Sequence, residues 1–121
     1  MTSQIHPNSF ISDKVQLGNN VIIGPFCYLN GDIKIDDNTQ LKSHIVVSGK
    51  TTIGKNNKIF PNVFLGLEPQ DLKYKGANTE VIIGDNNTFR ECVTVNRATN
   101  KGEKTVIGNQ NLLMAYTHIG H

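Results

Sequence analysis

The amino-acid sequence predicts an all-β fold, a left-handed parallel β-helix, on three observations. Counting in sixes from Ile5 gives Ile5, Ile11, Leu17, Ile23, Leu29, Ile35, Leu41, Val47, Ile53, Ile59 and Leu65. The column resumes at Ile83, Phe89 and Val95 and again at Ile107, Leu113 and Ile119, so that only Asp71, Ala77 and Lys101 break it. Neither an α-helix nor a simple strand pair has a six-residue period. The position after this column is Gly at 18, 24, 54, 66, 84, 102, 108 and 120, which uses most of the chain's 11 glycines. The position two before it is small, β-branched or amide, as in Ser3, Ser9, Val15, Val21, Cys27, Ile33, Thr39, Ile45, Thr51, Asn57 and Val63.

Each column justifies one part of a hexad. Strand side chains alternate faces, so the aliphatic residue and the residue two before it point inward together while the one between them points out. Glycine tolerates positive φ, and the glycine column is expected to mark the tight corner that follows. Three such strand-and-corner hexads close one triangular coil. Successive coils rise by one strand spacing, about 4.8 Å, so roughly six coils give a prism about 30 Å tall. No coil buries its own face, and the chain should fold only as a stack. A single domain over residues 1–121 is expected, with loop excursions at about 66–82 and 96–106.

Composition is consistent with a thin solenoid core: 37% hydrophobic residues, no Trp and 11 Gly in 121 residues. The net charge of +2 gives no strong pull toward nucleic acid or anionic membrane. The first ten residues carry neither a basic nor an apolar leader region, and no apolar run approaches the length of a membrane span. The reading is of a cytoplasmic chain. Cys27 falls in the inward column and Cys92 lies far from it in sequence; both read as packing thiols rather than a disulfide pair.

The first excursion, GLEPQDLKYKGANTEVI, puts Asp71 and Ala77 where aliphatics belong, with Pro69 and Gly76 as turn residues. The second, NRATNKGEKTV, gives the core slot to Lys101. Loops on a rigid scaffold are where binding groups concentrate; solvated insertions are the plainer alternative. On spacing alone, His118 faces outward beside inward Ile119, and His121 stands at a corner. Neither is buried by its own prism, which fits surface histidines at least as well as catalytic ones. Asp71 and Lys73 taken alone read as an exposed loop pair, and Arg90 with Glu91 as a structural ion pair. His6 and His44 look incidental.

The segments PQDLKYKG, FRECVTVNRAT and NLLMAYTHIGH, in that order on a hexapeptide background, resemble the family of acyl-acyl carrier protein–UDP-N-acetylglucosamine O-acyltransferases, which open lipid A biosynthesis. The resemblance spans the chain. It implies transfer of an (R)-3-hydroxyacyl group from acyl carrier protein to the 3-position of UDP-N-acetylglucosamine by a homotrimer with clefts between subunits. It assigns the general base to His121. To substrate binding it assigns His118 in the same cleft, Asp71 and Lys73 with Gln70 beside them, and Met114 near the acyl channel. No metal or other cofactor is implied.

Three departures qualify what the resemblance implies. Asn96 and Ala98 stand where many members carry His and Gly. Members also continue beyond the position matching His121 with an Asp that orients the imidazole, further coils and a helical domain, so the chain reads as a C-terminally truncated, N-terminal portion. Without that orienting partner it is expected to be weakly active or inactive alone. The alternatives are another hexapeptide acyltransferase, acting at the later N-acyl step or using acetyl-CoA, a γ-class carbonic anhydrase-like zinc protein with His118 and His121 as two ligands, and a non-enzymatic scaffold. The scaffold reading wants Thr-x-Thr arrays, which the sequence lacks.

Overall fold

The computed structural model describes residues 2–121. Among these it contains 17 short strands and no helix. The strands form three parallel sheets, the three faces of a prism. The first face stacks Gln4–Ile5, Ile22–Ile23, Gln40–Leu41, Lys58–Ile59, Thr88–Phe89 and Leu112–Leu113. The second stacks Phe10–Ile11, Tyr28–Asn30, Val46–Ser48, Phe64–Leu67, Thr94–Asn96 and His118–Ile119. The third stacks Gln16–Leu17, Ile33–Ile35, Lys50–Ile53, Glu80–Ile83 and Lys104–Ile107. The chain visits the faces in rotation, as a left-handed parallel β-helix requires.

Register carries the six-residue column straight up each face. Ile59 pairs with Leu41 below and Phe89 above, Leu65 with Val47 and Val95, and Ile83 with Ile53 and Ile107. These side chains are almost wholly buried, and burying an aliphatic side chain of this size is worth about 1.5–3 kcal/mol. The residue two before each joins the same core: Val21, Cys27, Ile33, Ile45, Val63, Val81 and Val93 are all buried.

On the first face that second column turns polar, and its members satisfy one another. The Thr39 hydroxyl donates to the Gly54 carbonyl (2.7 Å) and accepts from the Asn57 amide (3.2 Å). The Asn57 side chain donates to Gly84 O (2.9 Å) and accepts from Asn87 N (2.8 Å); Asn87 repeats both bonds with Gly108 O and Asn111 N. Each side chain thus ties its own coil to the next. Thr39, Asn57 and Asn87 are buried without leaving these amides and carbonyls unpaired, which would otherwise carry a penalty.

The glycine column does a different job from the expected one. The left-handed corner residues are Asn20, Phe26, Asn38, His44, Asn56, Asn62, Asn86, Cys92, Gln110 and Tyr116, with φ between 54° and 67°. They stand three positions after the aliphatic residue, and asparagine predominates because its short polar side chain tolerates this region. Gly18, Gly24, Gly54 and Gly84 are needed for space instead. A Cβ at Gly24 would collide with the Lys42 carbonyl oxygen, and one at Gly84 with Gly108 O. Cys92 is therefore a corner residue rather than a core thiol. Cys27 and Cys92 are both free, and burial pushes the Cys27 thiol up from its ordinary pKa.

The solenoid is interrupted twice. Residues 68–79 and 97–103 carry no strand, whereas Leu67 and Glu80–Ile82, near the edges of the first expected excursion, and Asn96 and Lys104–Val106, at those of the second, are strand residues. The first departure begins at a register shift between Leu65 and Leu67. Gly66 sits in that shift at φ +82°, and any side chain there would strike the Ser48 carbonyl. The bulge turns the chain out of the sheet without ending it.

Coil spacing sets the outcome of two glycine substitutions. Gly24→Ala should destabilise the protein by several kcal/mol, since neither the Lys42 carbonyl nor its coil can retreat. Gly108→Ala, where an added Cβ meets nothing within 4 Å, should change stability by no more than about 0.5 kcal/mol. Equilibrium urea denaturation of the two variants measures the difference.

Candidate active site

The two insertions dock against each other. Arg97 is the main clamp: its Nη1 donates to Gly66 O at 2.7 Å, its Nε and Nη2 approach the Tyr74 hydroxyl at 3.3 and 3.1 Å, and its amide donates to Leu67 O at 2.9 Å. The Asn96 side-chain amide donates to the Glu68 carbonyl at 2.7 Å, and Gly102 N to Asn78 O at 3.2 Å. Asn96, flagged in the sequence only as a departure from a motif, is a buried anchor for the first insertion.

This docking brings Asp71 against the end of the second face. Its Oδ1 accepts the Lys73 amide at 2.9 Å and its Oδ2 accepts the Thr99 hydroxyl at 3.0 Å. The same Oδ2 lies 3.5 Å from His121 Nε2. The Asp71 side chain is only 15% exposed and that of His121 44%. The Lys73 backbone N–H, followed by the Thr99 hydroxyl and the charges of Lys73 and His121, holds the Asp71 carboxyl below the usual carboxylate pKa against an opposing contribution from burial. Asp71, distant in sequence, stands beside the ring.

Other sequence candidates are placed as follows. His118 extends the outward column of the second face and shares a 2.7 Å contact between its Nδ1 and the Thr94 hydroxyl one coil below. It is thus partnered within its own prism. Gln70, Lys73 and Met114 are exposed, and among the described residues their side chains make no hydrogen bond or ion pair. Arg90 pairs with Glu91 at 3.0 Å and lies over the Phe60 ring, while His44 sits at a corner against Phe26. Sequence reasoning missed Arg97, Tyr74 and Thr99; the only available signal was their placement in segments that break the repeat.

His121 borders a shallow cavity of about 320 Å³ with Ala98, Glu103 and Lys104. A larger one, about 550 Å³, lies on the other side of the docked insertions, among Lys50, Tyr74, Thr79, Arg97 and Lys101. The histidine cavity has the chemistry of interest, with a titratable ring beside an anchored carboxylate and open access. No cluster of three or more His, Cys, Asp or Glu side chains fit to hold a metal occurs among the described residues.

No family model matches the chain. It is 47% identical over 120 residues to the acyl-acyl carrier protein–UDP-N-acetylglucosamine O-acyltransferase of Thermodesulfovibrio yellowstonii, covering 98% of this chain and 46% of that protein. The enzyme of the same name from Rickettsia canadensis is 46% identical with the same coverage. Among solved structures, the UDP-N-acetylglucosamine acyltransferase of Bacteroides fragilis superposes with a TM-score of 0.94 at 41% identity, covering 98% of this chain and 46% of that one. That of Francisella novicida gives 0.95 at 41%, covering 98% and 44%. The chain spans about half the length of the curated relatives it matches.

Two measurements check the site. Arg97→Lys keeps the charge but loses the planar fork that reaches Gly66 and Tyr74 together. It should weaken the docking of residues 68–79 by about 1–3 kcal/mol, seen as faster amide hydrogen exchange there with the core unchanged. Because Asp71's folded pKa is depressed, its contribution to stability is present above the unfolded carboxylate pKa of about 3.9. It is lost as pH falls through the lower folded value. Asp71→Asn should flatten that part of the stability profile in acid-denaturation curves.

Proposed function

We propose that this chain, related by sequence and fold to the acyl-acyl carrier protein–UDP-N-acetylglucosamine O-acyltransferases, contributes the base and part of the acceptor site for the same reaction. An (R)-3-hydroxyacyl group would pass from acyl carrier protein to the 3-hydroxyl of UDP-N-acetylglucosamine, the first step of lipid A biosynthesis. The observation that carries this reading is identity of 47% across 98% of the chain to a protein of that name, with His121 bordering an open cavity and an anchored carboxylate 3.5 Å from its ring.

The chemistry follows from the groups present. His121 takes the proton from the sugar hydroxyl as its oxygen attacks the thioester carbonyl carbon. The carbon–sulfur bond then breaks, and the imidazolium returns the proton to the departing thiolate. Asp71 beside the ring favours the imidazolium while it exists. Asp71 and Lys73, with Gln70, are placed to meet the sugar nucleotide. His118 would line the same cleft, and Met114 would lie near the acyl channel. The reaction calls for no cofactor or metal; the acyl donor itself is the second substrate.

Assembly belongs to the same proposal. The site is an open surface on one prism rather than an enclosed cleft, and a homotrimer that sets a neighbouring prism against the second face would enclose it. Among the described residues no helix is long and apolar enough to cross a membrane. We place the protein in the cytoplasm, where acyl carrier protein and nucleotide sugars meet.

In a protein of the relatives' full length that carries this chain, His121→Ala should lower acyl transfer by about 10² to 10⁴ while leaving UDP-N-acetylglucosamine affinity nearly intact, since a base acts on the transition state. Steady-state assay with 3-hydroxyacyl-acyl carrier protein, paired with calorimetric titration of the sugar nucleotide, reads both. Undiminished transfer by the variant would remove His121 from the role.

A further inference from the structure

Resting on that reading, we propose that Thr99 is a positioning residue for the reaction, fixing the Asp71 carboxylate so that one oxygen faces His121. Three features support it. The Thr99 hydroxyl donates to Asp71 Oδ2 at 3.0 Å, the oxygen that stands 3.5 Å from His121 Nε2. Thr99 is buried, 5% exposed, so its hydroxyl has few competing solvent partners and its direction is set by packing. Its backbone belongs to the second insertion, pinned by Arg97 on one side and by Gly102 on the other. The carboxylate is therefore held from two directions. Its own loop supplies the Lys73 amide to Oδ1 and the other insertion supplies the hydroxyl to Oδ2.

The arrangement fixes a rotation that a single bond would leave free. With only the Lys73 amide, the carboxyl could swing about its last torsion, a broad rotor, and the oxygen facing the imidazole would wander. A hydrogen bond to an ionised acceptor is strong and directional, and two of them on different oxygens set the carboxylate plane. Beyond packing, then, Thr99's part in the site is its hydroxyl. The groups facing this carboxylate are the Lys73 amide and ammonium, the Thr99 hydroxyl and the His121 ring.

The test compares Thr99→Val, which keeps shape and loses the hydroxyl, with Thr99→Ser, which keeps the hydroxyl and loses a methyl. Two readouts are taken: the Asp71 carboxyl titration by carbon-13 NMR on each folded variant, and acyl transfer from 3-hydroxyacyl-acyl carrier protein to UDP-N-acetylglucosamine by a protein of the relatives' full length that carries the same substitution. Thr99→Val should move the Asp71 midpoint up toward the ordinary carboxylate value and lower kcat on the order of tenfold with KM little changed. Thr99→Ser should stay near wild type in both. Equal losses in the two variants would make Thr99 a packing residue and overturn the proposal, as would an unmoved Asp71 titration in Thr99→Val. Absence of acyl transfer by a wild-type protein of the relatives' full length that carries this chain overturns the proposed reaction instead, while the titration still decides whether Thr99 holds Asp71. Thr99→Ala replaces the valine variant if that one does not fold.

Discussion

Everything in this molecule depends on neighbouring coils lying one strand spacing apart. That spacing forces side chains of successive coils into direct register, so each inward position must suit the same position above and below. The aliphatic column meets the demand by packing Ile59 between Leu41 and Phe89. The polar column meets it by repetition, with Asn57 and Asn87 each donating to a carbonyl of the next coil and accepting an amide from that same coil. The same spacing excludes a Cβ at Gly24 and Gly84, where the next coil's carbonyls are too close. One geometric repeat thus explains the hydrophobic, amide and glycine columns together.

A prism filled in this way has no interior to lend to a substrate. Function has to be added outside, and the two insertions add it. They leave the stack near one end of the second face and bind each other through Arg97, Asn96 and Gly102. Docking gives an irregular segment the rigidity it lacks on its own. Asp71 needs that rigidity, because a carboxylate on a free loop would sample many orientations at an entropic cost that each productive encounter must meet again.

The fold was legible because its information is local and repeated. A six-residue column from Ile5 to Leu65 requires no knowledge of distant contacts, and the break at Asp71 and Lys101 marked where the repeat fails. The glycine column was read for conformational freedom throughout, whereas only Gly66 and Gly102 use it and Gly18, Gly24, Gly54 and Gly84 are needed for space; the left-handed corners fell to residues three positions after the aliphatic one, half of them asparagine. That distinction appears only when a coil has a neighbour above it. His121 and Asp71 were named separately, yet their meeting could not be read, because it depends on two irregular segments whose docking follows no period. Thr99 was invisible for the same reason; as one threonine in a loop it has no sequence signature.

The division of labour between repeat and insertion also accounts for how polar groups are handled in each. Within the stack, buried Thr39, Asn57 and Asn87 are hydrogen-bonded between coils. Around the insertions, two buried side-chain oxygens, Thr79 Oγ1 and Asn96 Oδ1, have no partner among the described residues. A periodic structure finds the partner of one coil by copying the last, whereas an insertion must solve each contact singly. Regular coils supply the buried core, and the unpaired side-chain oxygens fall where the chain steps out of them.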